Sequence, residues 1–446
     1  MTAGASDLAR RAQAVLERNR RGAWTCPSQE LYPHQWLWDS SFVAIGLAHV
    51  DAPRAADELR ALFRGQWSNG MLPHMIFADD VADVGSERIW QSRHNPLAPN
   101  DVATSCITQP PVVAVAVRRV AQALTPQERA AFLGDAYPKL LAYHEWLYRE
   151  RDPHGRGLVT LIHPWECGLD TTPPWMDALA RMPRPWWARA AARLHAAQLL
   201  RFLRRDTKFV PTVQRPSDDE GLGMLVLAQH IRRHGFELRN LPPDTSVLVE
   251  DVTFNAILAA ANRSLAWISE VVGESMPPTL AQSAARTDAA IDELWDPDDE
   301  QYYSRDAANG ELIRLPTIAT FMPLFAGVVT PARATKLVAR LQSGGFGTRY
   351  PVPTVPTDDA RFREEAYWKG PTWVNTNWLV VEGLLARGDT HFADELAART
   401  IELVDGAGCF EYFSPLNGDG YGAREFSWTA ALVLDLLNRR ASGLLA

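Results

Sequence analysis

Lysine is scarce: residues 139, 208, 336 and 369 are Lys, and arginine supplies the rest of the 45 basic side chains. With abundant alanine, this reflects genomic composition and carries no functional signal. Cysteine is sparse too. Cys26, Cys106, Cys167 and Cys409 form no CxxC and no metal-ligand spacing, so free thiols in a reducing compartment are expected. There is no basic tract, and 53 acidic residues against 45 basic ones give a net charge of −8. That balance argues against nucleic acid or an anionic membrane as partner. No run of about 18 uncharged apolar residues occurs, which excludes a membrane-spanning helix. The N-terminal MTAGASDLARRAQAVLERN lacks the apolar stretch of a secretory signal, so a soluble cytoplasmic protein is expected.

GxGxxG, the phosphate-cradling P-loop and GxSxG are all missing, which removes support for nucleotide-binding and serine-hydrolase readings. His230 and His234 have the i,i+4 spacing of zinc ligands. The residues between them offer no general-base glutamate, and Arg232 and Arg233 oppose a cation, so a solvated helix end is expected. Strand signals are few. Gly157–His163 is the best of them, and strands do not alternate with helices, which disfavours a parallel α/β sheet.

What is present is helical periodicity and tryptophan. Helices are expected over about 6–19, 40–50, 53–67, 112–124, 126–150, 186–205, 217–234, 249–272, 278–295, 331–342, 371–387, 390–404 and 426–440. At 446 residues the chain exceeds an ordinary domain, but a closed ring of paired helices absorbs such a length in one unit. Apolar runs at 112–124 and 254–268 suit inner helices of such a ring. A single all-α domain, 1–446, is therefore expected, with long loops at about 151–185, 206–218 and 344–370. Long ordered loops are commonly functional. Many of the sixteen Trp fall in short non-helical stretches, beside Pro, Gly, Asp and His, as walls of a pocket for apolar sugar faces would.

Three loops carry candidate chemistry. In Tyr32-Pro-His-Gln-Trp-Leu-Trp-Asp39-Ser40, Asp39 or Ser40 is expected to cap a buried helix, which leaves Tyr32, Trp36 and Trp38 free to line a pocket. In His163-Pro-Trp-Glu-Cys-Gly-Leu-Asp170, two carboxyls, Glu166 and Asp170, stand among Trp165, Trp175 and prolines. An apolar surround keeps a carboxyl protonated, as a general acid requires, although an Asx-turn would also explain Asp170. In Cys409-Phe-Glu411-Tyr-Phe-Ser-Pro415, a carboxylate flanked by aromatics suits a base that positions water; an ordinary strand-edge Glu is the plainer alternative. Asp170 with Glu411 is chemically sound, but Asp39, Glu166, Glu365 and Glu425 compete, and residue chemistry alone does not choose.

The segments LYPHQWLWDSSFVAIGL (31–47), QWSNGMLPHMIF (66–77), ITQPPVVAVAV (107–117), HPWECGLDTTPPW (163–175), QRPSD (214–218), EDVTFNAI (250–257), YWKGPTW (367–373), FEYFSP and FSWTAA occur in order along the chain. Together they make it resemble glycoside hydrolase family 63, particularly the small bacterial members that act on mannosylglycerate and glucosylglycerate. The resemblance implies an (α/α)6 barrel and hydrolysis with inversion, with Asp170 of W-E-x-G-x-D as general acid and Glu411 of F-E-Y-x-x-P as general base. Cys167 stands where the family often has Ser, a small-for-small change. The same resemblance places Tyr32, Trp36, Trp38, Asp39, Gln109, Trp165, Tyr367, Trp368, Gly370, Trp373 and Trp428 around the sugar. Arg215 looks suited to a carboxylate aglycone, with Lys369 the next candidate. It implies mannosylglycerate as substrate, with glucosylglycerate the alternative or a second substrate, and no metal or organic cofactor. A homo-oligomer is compatible with every feature.

Two rival readings make different demands. A sugar epimerase or isomerase on a helical toroid needs a His pair on the inner helices, and the inner apolar runs have none. A non-catalytic sugar-binding homologue predicts loss of Asp170 or Glu411, and both are present.

Overall fold

The computed structural model describes residues 3–81, 88–186, 188, 206–443 and 445. In chain order its helices are α1 (Ala3–Arg18), α2 (Leu37–Leu47), α3 (Ala52–Phe63), α4 (Val113–Ala123), α5 (Pro126–Arg151), α6 (Pro173–Arg181) and α7 (Asp218–Arg233). There follow α8 (Val252–Val271), α9 (Pro278–Ala290), α10 (Met322–Ala326), α11 (Pro331–Gln342), α12 (Val374–Arg387), α13 (Thr390–Ala407) and α14 (Ser427–Ala441).

Burial sorts these helices into two rings. Every residue of α2 is buried, and α8 is buried along most of its length, as their near-continuous apolar sequences require. By contrast α3 buries one face, around Ala55, Leu59 and Leu62, and turns Pro53 and Asp57 to solvent. The inner helices α2, α4, α8, α10, α12 and α14 pack each on the next, and α14 closes the circle against α2. The stripe-faced helices α1, α3, α5, α9, α11 and α13 alternate with them along the chain and form the outer layer. The expected barrel of six helix pairs is what the chain builds.

The strand content is five two-stranded antiparallel pairs among the described residues. Two of them carry site residues: Gln35–Trp36 pairs with Met75–Ile76, and Tyr412–Phe413 pairs with Gly420–Tyr421.

Several expectations need correction. Asp39 and Ser40 do not cap α2, which begins at Leu37; its first amides are satisfied from other segments, Leu37 N by His74 O at 3.0 Å and Trp38 N by Gln109 Oε1 at 3.3 Å. Gly157–His163 is not a strand and contributes one bridge, Leu161 to Val249. The loop expected at 151–185 contains helix α6, and 206–218 holds short helical turns at Asp206–Phe209 and Thr212–Gln214. The five-residue α10 had no counterpart among the expected helices. Of the helix expected over 186–205, residues 187 and 189–205 lie outside the described residues. Cys26, Cys106, Cys167 and Cys409 are free, as expected, and all four are buried.

Candidate active site

The inner helices α2, α12 and α14 start at one end of the barrel, and the site is assembled there. Glu411 precedes the 412–413 strand and is 1% exposed. Its carboxylate accepts from Tyr32 OH at 2.9 Å, from Ala423 N at 2.9 Å, and from Arg215 Nη1 at 3.3 and 3.4 Å. Gly422 sits opposite with φ +72°, and a Cβ there would lie 2.4 Å from Glu411 Oε2. No other residue type fits that turn.

Asp170 ends the acid-rich loop and is half-buried, yet the surrounding protein strips it of solvent. Burial pushes its carboxyl up to about 8; Arg215 and its own backbone amide oppose the rise, and Glu411 adds to it. Arg215, which pairs with Glu411, also acts electrostatically on Asp170. Asp39, in the first turn of α2, is also buried. Desolvation holds its carboxyl well above the usual range, with Glu411 and Asp170 adding repulsion.

Arg215 lies over the Tyr367 ring, 4.4 Å from its centroid, donates to Tyr32 OH and pairs with Asp206 at 3.4 Å as well as with Glu411. Tyr367 itself has φ +41°, a strained setting for a bulky side chain. Around these polar groups stands an aromatic wall. Trp368 stacks on Trp373 with centroids 3.5 Å apart, Trp373 stacks on Tyr412 at 4.5 Å, and Trp38 meets Trp428 edge-on at 5.4 Å. The indole N–H groups of Trp36, Trp368 and Trp428 are buried without a hydrogen-bond partner among the described residues. Buried donors ordinarily have partners, so these suit a hydroxyl-rich ligand.

The remaining expected positions divide. Gln109 is buried and braces Trp38 N. Trp165 packs on His163, His74 and Trp90. Gly370 is a packing glycine, because a Cβ there would meet Arg363 O at 2.4 Å. Lys369 forms an ion pair with Glu220. Of the competing carboxyls, Glu166 is locked by Arg151, Glu365 accepts from Gln214, and Glu425 is exposed and paired with Arg18. His230 hydrogen-bonds Ser246, and the described residues hold no cluster that could bind a metal.

Sequence reasoning missed four contributors. Tyr412 stacks under Trp373 although its motif had been singled out for Glu411 alone. His74 and His163 are buried beside Trp165, and desolvation holds them neutral, at about 3 and about 4. Glu58 accepts from Ser40 behind Asp39, and burial lifts it to about 7. A charged residue within the apolar stripe of α3 was the available signal.

A helical toroid that gathers a solvent-stripped carboxyl and a hydrogen-bonded carboxyl beside a cluster of aromatic rings is an architecture suited to a glycoside hydrolase. The comparisons agree: residues 32–429 match the model of the mannosylglycerate hydrolase MGH1-like glycoside hydrolase domain, and the chain belongs to that family. It is 39% identical over 429 residues to the mannosylglycerate hydrolase of Thermus thermophilus, covering 95% of this chain and 99% of that one. It is 33% identical to the glucosylglycerate hydrolase of Mycolicibacterium hassiacum, over 97% and 98% of the two chains. The crystal structure of the family 63 mannosylglycerate hydrolase from T. thermophilus, in complex with Tris and D-glycerate, superposes with a TM-score of 0.86 at 38% identity, over 96% and 99% of the chains. No helix among the described residues is long and apolar enough to cross a membrane.

Proposed function

We propose that this chain, as one catalytic domain over residues 1–446, hydrolyses α-mannosylglycerate to mannose and glycerate with inversion. Glucosylglycerate is the second substrate. Asp170 protonates the glycosidic oxygen, and Glu411 takes a proton from the water that attacks the anomeric carbon from the opposite face. An inverting pair needs roughly 6.5–9.5 Å between carboxyls to admit that water.

One observation carries the reading: two carboxyls of the same site have opposite surroundings. Asp170 is pushed up to about 8 by burial, so it carries a proton at neutral pH. Glu411 is instead held by donors from Tyr32, Ala423 and Arg215, which fix the direction in which its oxygens point. Trp36, Trp38, Asp39, Gln109, Trp165, Tyr367, Trp368, Gly370, Trp373 and Trp428 surround the sugar in this reading, as wall or as support. Arg215 takes the glycerate carboxylate on the N–H groups left over from its contacts with Glu411, Tyr32 and Asp206, while Lys369 is committed to Glu220. The reaction runs in the cytoplasm, where four free buried thiols persist.

The test is to incubate the protein with both glycosylglycerates and a disaccharide panel, and to follow the anomer first released by NMR. Initial β-mannose from the α-glycoside supports the reading. Initial α-mannose, or preference for an uncharged disaccharide, would sink it.

A further inference from the structure

The ion pair between Arg151 and Glu166 has no part in the chemistry above, yet it occupies the root of the loop that bears Asp170. Arg151 ends α5 and is 1% exposed, and Glu166 is fully buried. They meet as a fork, Nη1 to Oε2 at 2.9 Å and Nη2 to Oε1 at 2.7 Å. Two backbone amides complete the shell: Ile162 N donates to Oε2 at 2.8 Å, and Thr108 N to Oε1 at 3.3 Å. The donors come from three separate stretches of chain.

Each stretch leads into the site. Thr108 precedes Gln109, whose Oε1 receives Trp38 N at the start of α2. Tyr143 OH ties the two together, 2.6 Å from Thr108 Oγ1 and 3.2 Å from Gln109 O. Beyond Glu166 the loop turns at Gly168 with φ +75°, where the Trp38 ring would lie 2.5 Å from any Cβ. Asp170 follows two residues later.

Stability alone does not explain such a pair. Replacing a buried ion pair by well-packed apolar side chains is commonly neutral or stabilising. What a bidentate fork adds is fixed orientation of both planes. We propose that Arg151 and Glu166 form a positioning pair of the glycosidase reaction, holding the Asp170 loop and the Gln109–Trp38 wall in register. The proposal rests on Asp170 being the general acid.

A loosened loop lets water reach Asp170, whose carboxyl interacts electrostatically with Arg215, Glu411, Asp39 and Tyr367. Hydration undoes the effect of burial, so the alkaline limb of activity moves to lower pH.

The experiment compares wild type, Arg151→Lys, Glu166→Gln and the double variant Arg151→Met with Glu166→Leu on the glycoside that wild type turns over. Asp170→Asn serves as control. Arg151→Lys keeps the charge but not the fork. We expect its kcat to fall about 10- to 100-fold with KM changed less than about threefold, and its alkaline limb to move down by about half a pH unit or more. A folded double variant with near wild-type Tm shows the same kinetic loss. Wild-type kcat and pH profile in folded Arg151→Lys, or in the folded double variant, overturn the proposal. If Glu166→Gln or the double variant does not fold, Arg151→Lys decides; if none folds, the pair is a folding requirement and the proposal fails. An active Asp170→Asn sinks the acid assignment instead, which is a separate failure.

Discussion

Asp170 and Glu411 are both carboxyls, and the different tasks proposed for them rest on different neighbours. The rise of Asp170 to about 8 comes first from burial, against the pull of Arg215. Two consequences follow. Turnover should fall as pH rises through about 8, because the acid then loses its proton; a flat kcat/KM from pH 6 to about 10 would contradict this. The fold feels the same group with a definite sign. The folded protein binds a proton that the unfolded chain releases above about 3.9, so this carboxyl costs stability progressively as pH rises from there toward 8. Asp170→Asn should therefore abolish turnover and raise Tm relative to wild type at pH 8, with the gap closing toward pH 4. Thermal melts across that range check it. Arg215 gives a third residue-scale prediction. Arg215→Ala should lower kcat/KM for a glycerate substrate by about 30- to 150-fold, the worth of roughly 2–3 kcal/mol from a charge-assisted contact. The same variant also removes a donor from Glu411. A glycoside with an uncharged aglycone should therefore lose activity too, but less, and Arg215→Lys should recover part of it. Equal losses on both substrates would take the carboxylate away from Arg215.

At the scale of elements, the barrel was legible where periodicity is strong and illegible where one segment finishes another. The apolar runs at 112–124 and 254–268 announced inner helices, and burial bears them out. The start of α2 was misplaced because local capping rules look for a nearby oxygen, and the oxygens that serve here come from His74 and Gln109. At α8 the rule holds, since Asp251 accepts from Phe254 N at 2.9 Å. α10 is too short, and too interrupted by Pro323, to display a period. Asp170 and Glu166 stood undistinguished in sequence. Arg151, on the preceding helix, separates them by claiming Glu166, and nothing local to the loop records that. A turn offers the corresponding test. Gly422→Ala places a methyl against Glu411 Oε2 and forces φ +72° on an L side chain. It should cut kcat by about tenfold or more while leaving most secondary structure intact, because a displacement of about 1 Å at a catalytic group costs that much or more. Unchanged kcat in Gly422→Ala would mean the hairpin tolerates a shift that the base assignment forbids.

The whole ring must close, and it closes at the end away from the site through a buried charge network. Asp435 on α14 accepts from Trp378 Nε1 at 2.8 Å and Arg439 Nε at 2.9 Å, and meets His49 Nε2, just beyond α2, at 2.7 Å. Arg439 also pairs with Glu382 on α12, which pairs with Arg119 on α4. Three of the six inner helices, and the segment that leaves α2, are thus clasped by one network. Burial pushes the Asp435 carboxyl up, but the contacts with His49, Arg439 and Trp378 outweigh it and hold the group at about 2. A carboxyl depressed on folding contributes stability that is present above its unfolded value near 3.9 and is lost as pH falls through about 2. Asp435→Asn keeps the shape and removes the charge, which strands Arg439 beside a single carboxylate. Breaking one side of a buried pair costs about 3–5 kcal/mol, so the urea midpoint should drop substantially at neutral pH and approach the wild-type value near pH 2. Because the site lies at the opposite end, kcat per folded molecule should remain close to wild type at temperatures well below the melt. An Asp435→Asn protein that melts like wild type would show that apolar packing of α14 on α2 closes the ring unaided. One that melts early and is also catalytically slow would show that the two ends of the barrel are coupled.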